Sequence, residues 1–187
     1  MNKRKYSAVV IGTSAGGIRA LTQVISVLTP GLPVIIVHHC GKDGAIAELL
    51  DGESPLPVRS ATDKEQIREG TVYIAPPEYH LYIEADHTFS LSAEPPWNHS
   101  RPSIDILFES AAEAYHDALV GIILTGANSD GSAGLSTIKR RGGMAVVQTP
   151  NTAYASVMPR AAINAVDVDH VLDLDQIGPF INGITEI

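Results

Sequence analysis

Short apolar runs alternate along the chain with segments whose apolar positions recur every three to four residues. The first run, SAVVI at 7–11, has the length and β-branched content of a buried strand. It stops at a glycine. Ile18, Leu21, Val24, Ile25 and Leu28 then follow helical spacing until Pro30-Gly31 ends the pattern. PVIIVHH at 33–39 predicts a second buried strand, followed by Gly41 and Gly44 and a short helix through Leu50. Two strand–helix units in succession predict a parallel sheet with helices on both faces.

The middle of the chain changes period. VYIAP (72–76), HLYIEA (80–85) and TFSLSA (88–93) are short, and the last two alternate. Asp86-His87 between them reads as a tight turn. This predicts an antiparallel hairpin near residues 80–93, as an insertion or at one edge of the sheet. EPPWNHSRP at 94–102 is a proline-rich loop. The α/β rhythm then returns. Ile104, Leu107, Phe108, Ala111, Ala112 and Tyr115 predict an amphipathic helix with Ser103 as its N-cap. ALVGIILTG at 118–126 is the most hydrophobic strand and suits the sheet centre. A helix near 132–141 is stopped by Gly142-Gly143; strand 144–148, helix 155–165 and a last strand at 169–174 follow. The expected fold class is α/β: a doubly wound, mostly parallel sheet with helices on both faces. With no repeat or linker, residues 1–187 are expected to form a single domain.

Composition narrows the classes of function. Of 187 residues 44% are apolar, and the net charge is −8. An acidic chain argues against a nucleic-acid partner, and Lys3-Arg4-Lys5 reads as a solvated lead-in. No run approaches the roughly 18 apolar residues of a membrane span. The first apolar run is too short, and too soon broken by glycine, for a signal peptide. The single cysteine, Cys40, excludes an internal disulfide framework. The expected location is the cytoplasm, without membrane insertion.

Three strand ends carry candidate chemistry. Gly12-Thr13-Ser14-Ala15-Gly16 fits G-x-S-x-G on a strand-to-helix turn, where a serine hydroxyl is held exposed. The helix starting near Gly16-Gly17 points free N–H groups at the same spot, as an oxyanion requires. The same turn could cradle a phosphate or simply be tight. However, the full G-x-G-x-x-G fingerprint is not met, and no Asp or Glu closes the second strand. His38 and His39 end that strand, and adjacent strand residues face opposite ways, so at most one of them faces Ser14. The same opposition makes His38-His39-Cys40 a poor metal site, and none is expected. His80, His87, His99 and His116 fall in segments read as surface. Finally, LTGANSDGSAGL at 124–135 puts Asp130 at the same edge of the sheet, where a carboxylate could hold a histidine tautomer. The alternative chain order of α/β-hydrolases, Ser14, Asp130 and His170, would need a nucleophile after several strands rather than the first.

VVIGTSAGGIRAL, PVIIVHH, VYIAPPEYHL, RPSIDILFESAA, GIILTGANSDGSAGLSTIK and ASVMPRAAI together resemble, in the same order, the catalytic domain of bacterial protein-glutamate methylesterases of chemotaxis, the CheB type. The resemblance covers nearly the whole chain. It implies a serine hydrolase that demethylates glutamate γ-methyl esters on chemoreceptor helices, releasing methanol, and in many members deamidates receptor glutamines. It implies catalytic Ser14, His39 and Asp130. Ala15, Gly16, Gly17, Ala127 and Met158 fall at oxyanion or substrate positions. No metal or cofactor is implied.

Several residues depart from the family pattern. His38 stands where glutamine is common, and Ala15 where many members have threonine. Ala127 and Asn128 replace the Met-Gly of T-G-M-G-x-D-G. Typical members carry an N-terminal receiver domain, whereas here the catalytic strand begins by residue 7. That points to a stand-alone form or an excised domain, with a separate response regulator as a candidate partner. The rival function is a catalytically impaired module that docks on receptors or a signalling complex. Dinucleotide binding is a distant third.

Overall fold

Strands rich in valine and isoleucine line up into one parallel sheet. The computed structural model describes residues 5–39 and 45–185. Lys3, Arg4, Cys40, Gly41 and Gly44, with the expectations placed on them, lie outside the described residues. β1 (Ala8–Thr13), β2 (Val34–His38) and β7 (Leu119–Ile123) are buried at every position, as strands covered on both faces must be. With β3 (Val58–Ser60), β4 (Val72–Ile74), β8 (Met144–Gln148) and β9 (His170–Leu172) they form a sheet of order β3-β4-β2-β1-β7-β8-β9, every pair parallel.

Period-two alternation sends the side chains to two separate cores. Val9 and Ile11 of β1 pack with residues of α1 (Gly17–Ile25), α2 (Ile46–Asp51) and α6 (Leu174–Thr185). Ala8 and Val10 pack on the other face with α3 (Ile104–Tyr115), α4 (Ser132–Arg140) and α5 (Val157–Ala165). The doubly wound α/β class is the observed one.

Four expectations need correction. VYIAP does not belong to the antiparallel insertion: β4 is an interior strand, parallel to both β2 and β3. β3 and α6 were not anticipated. β3 has only three residues, and α6 hides its signal behind Pro179, although Ile177, Ile181 and Ile184 recur at helical spacing and are buried. The hairpin of β5 (His80–Ile83) and β6 (Phe89–Ser92) forms as expected, in a two-stranded sheet of its own. Its loop has three residues rather than two: Glu84 and Thr88 still bond (2.9 Å), and His87 takes a left-handed conformation at φ 60°. Lastly, His80 is fully buried rather than on the surface, with Nε2 bonded to Pro95 O (3.0 Å).

The order of the strands decides where chemistry can sit. From β1 the chain moves outward through β2 on one side and resumes at β7 on the other. The crevice above the carboxyl ends of β1 and β7 is therefore the switch point at which open α/β sheets bind ligands. The turns bearing Ser14, His39 and Asp130 all open onto this edge.

Candidate active site

Ser14 follows β1 directly, and its loop is fastened to the end of β7. Ser14 N–H donates to Thr125 O (2.9 Å), which also accepts from Thr13 Oγ1 (2.8 Å). Thr125 Oγ1 in turn donates to Ala15 O and accepts from Ala155 N–H, both at 2.8 Å. One threonine thus holds both sides of the serine turn. Gly16 leads into α1 at φ 78°, a conformation that favours glycine. Gly12 serves close packing: a Cβ there would lie 2.3 Å from Ile104 Cγ2, so only glycine lets the start of α3 reach β1. The motif's first glycine therefore fits a tight join between elements, not a phosphate cradle.

His39 continues the edge of β2, its N–H donating to Thr13 O (3.0 Å). Its Nε2 lies 2.8 Å from Asp130 Oδ2, and the two side chains are 11% and 1% exposed. This settles which histidine meets the carboxylate. His38 points away, against Gly17, where an added Cβ would be 2.8 Å from its Nδ1. Burial pushes the His38 imidazole below its usual range, a hydrogen bond to the Thr13 backbone opposes this, and nearby His39 adds to the lowering. His38 is thus a neutral packing group. His170 lies on edge strand β9, against Phe180, and is not brought to Asp130.

Asp130 is held by the first turn of α3. Oδ2 accepts from Ile104 N–H (2.7 Å) as well as His39, while Oδ1 accepts from Ser103 Oγ (3.0 Å) and Asp105 N–H (3.1 Å). The helix start that Ser103 caps, as expected from sequence, therefore supplies two N–H groups and the positive end of its dipole. Burial pushes the Asp130 carboxyl up, but these bonds and the one from His39 outweigh it and hold it below the usual range. Behind it sits Asp105, whose Oδ1 accepts from Gly131 and Gly134 N–H at 2.9 and 2.7 Å. Burial, then the neighbouring Asp130 charge, raises Asp105 to about 6 against an opposing bond from Gly134.

The remaining expected residues fall in different places. Gly17 N–H donates to Ser14 O (2.8 Å) and is not free. The N–H groups of Ala15 and Gly16 have no acceptor among the described residues. Ala127 is exposed at the rim. Met158 is fully buried beneath the loop, its N–H bonded to Gly126 O (2.9 Å), so it supports the turn and does not face substrate. A cleft of about 640 Å³ opens beside Gly16, bordered by Arg19, Gln23, Tyr154 and Asp175. Tyr154 is 84% exposed at its edge. Among the described residues no three His, Cys, Asp or Glu side chains are grouped to hold a metal ion.

Sequence reasoning missed Thr125 and the second partner of His39. Asn128 Nδ2 lies 3.2 Å from His39 Nδ1. It also missed His80, whose Nδ1 accepts from Ser103 N–H (3.3 Å) and so steadies the residue that bonds Asp130. A threonine ending an apolar strand and a histidine in an alternating one are ordinary by pattern; only the tertiary fold gives them these partners.

The family model for CheB methylesterase matches residues 9–181. The chain belongs to that family. It is 52% identical over 176 residues to a Leptospira interrogans protein whose name carries both protein-glutamate methylesterase and protein-glutamine glutaminase, covering 92% of this chain and 91% of that one. A Clostridium acetobutylicum protein-glutamate methylesterase/protein-glutamine glutaminase is 38% identical over 174 residues, covering 91% of this chain but 50% of the longer relative. The crystal structure of the Thermotoga maritima CheB methylesterase catalytic domain superposes with a TM-score of 0.92 at 33% identity, covering 96% of this chain and 98% of that one. The family match runs from Val9 in β1 to Ile181 in α6 and so spans the whole sheet.

Proposed function

We propose that this chain is a serine esterase that hydrolyses glutamate γ-methyl esters on the signalling helices of chemoreceptors. The carrying observation is the buried His39–Asp130 pair, 2.8 Å apart, at the switch-point crevice that also presents Ser14. The names of its relatives supply the ester and amide substrates. Because Asp130 holds Nε2, the base is the other ring nitrogen, Nδ1.

The reaction is acyl transfer. Nδ1 takes the Ser14 hydroxyl proton as Oγ bonds to the ester carbonyl carbon. The carbonyl oxygen becomes an oxyanion, received by the Ala15 and Gly16 N–H groups at the start of α1. Asp130 stabilises the imidazolium. The C–O bond to methoxide then breaks, His39 returns the proton, and methanol leaves. Water repeats the sequence on the acyl-enzyme, releasing the glutamate carboxylate and free Ser14. A receptor glutamine enters the same cycle with ammonia as the leaving group.

The test is incubation of the protein with a carboxyl-methylated receptor cytoplasmic fragment, with methanol quantified. Stoichiometric release supports the proposal. Binding of the fragment without release overturns it in favour of a docking module.

A further inference from the structure

We propose that Asn128 is a positioning residue that occupies the base nitrogen of His39, so that each turnover must displace the Asn128 amide. The inference rests on the esterase reading above. Its geometry leaves little freedom. Asn128 Oδ1 accepts from Asp130 N–H (3.1 Å), which identifies the other end of the amide as the NH₂ group. That Nδ2 faces His39 Nδ1 at 3.2 Å. An NH₂ group only donates, so Nδ1 carries the lone pair and Nε2 the hydrogen, which goes to Asp130. The productive tautomer is thus set before substrate arrives.

The same contact opposes the chemistry. An imidazole nitrogen has one in-plane lone pair, and Ser14 Oγ must use it to give up its proton. Among the described residues Ser14 Oγ makes no hydrogen bond, so it is the amide, not the nucleophile, that holds Nδ1. Once Nδ1 is protonated, the Asn128 NH₂ faces another donor and the bond is lost. Asn128 therefore stabilises the resting state and not the transition state, which slows the chemical step. Glycine at this position would lack the amide altogether. Asp130 still holds Nε2–H without it.

Two variants separate this role from a merely structural one. Asn128→Gly removes the competing donor. A neutral hydrogen bond is worth about 1 kcal/mol net, so kcat should rise by about five-fold with KM unchanged. Asn128→Asp keeps the acceptor for Asp130 N–H but turns an oxygen toward Nδ1, favouring a ring already protonated there. Its kcat at neutral pH should fall. The rate at which a fluorophosphonate labels Ser14, which depends on the base but not on the receptor, should move in the same two directions. A structural role predicts the reverse: Asp near wild type, and Gly impaired. If Ser14 is labelled but Asn128→Gly is no faster, the proposal for Asn128 fails alone. If Ser14 is labelled in no variant and none releases methanol, the esterase reading fails and the proposal for Asn128 with it.

Discussion

Burial pushes two neighbouring carboxylates up, and only Asp130 gains enough hydrogen bonds to outweigh it. Asp130 receives four donors, including the imidazole, and stays ionised; Asp105 has two backbone donors and a neighbouring charge, and rises to about 6. Replacing Asp130 by Asn keeps the shape but presents either a neutral oxygen or an NH₂ group to Nε2. By analogy with the corresponding change in a serine protease, kcat should drop on the order of 10⁴-fold, and a steady-state assay at wild-type rate would remove Asp130 from the mechanism. For Asp105 the sign follows from its raised value. The folded protein holds this proton more tightly than the unfolded chain, whose carboxyl has the ordinary value of 3.8. The stabilisation is therefore complete below that value and is lost as pH rises through about 6. Asp105→Asn retains an oxygen for Gly131 and Gly134 and does not titrate. Urea unfolding at about pH 4 and about pH 7 should show the variant gaining on wild type at the higher pH. A difference independent of pH would contradict the assignment.

At the scale of elements, the site is built from joints rather than from any one strand or helix. Thr125 ties the turn after β1 to the turn before α5, through Ala15 O and Ala155 N–H. Thr125→Val keeps the shape and leaves those two groups without their partner. It should cost about 1–3 kcal/mol in urea unfolding and lower kcat by displacing Ala15, with KM less affected. Unchanged stability and kcat would mean that the turn holds itself. The same joints explain what was legible in the sequence. The strand–turn–helix order, the serine turn, the Ser103 cap and the aspartate turn follow from local period and turn chemistry, which act over a few residues. The choice between His38 and His39 could not, because both lie at the end of one buried strand and only pairing of β2 with β1 and approach of α3 decide which meets Asp130. Asn128 reads as a turn residue until His39, 89 positions away, lies against it. β4 read as part of the hairpin region because three residues carry too little pattern to show that β2 and β3 flank it.

Across the whole molecule the two cores do different work. The face bearing α3, α4 and α5 carries the carboxylate and its donors, while α6 packs into the core of the opposite face. Ile181 of α6 is 3% exposed within that second core. Ile181→Ala should therefore destabilise by about 2–4 kcal/mol while leaving kcat unchanged under native conditions, as paired unfolding and activity measurements would show. A loss of kcat without a loss of stability would mean the faces are coupled. Among the described residues no helix is long and apolar enough to cross a membrane. Ser14 at this crevice is proposed as the nucleophile. The most direct measurement is methanol release from methylated receptor fragment by wild type and by Ser14→Ala, with folding checked by urea unfolding. The expected result is a folded variant that still binds the fragment and whose release falls by at least about 10³-fold. Release by Ser14→Ala at the wild-type rate would contradict it.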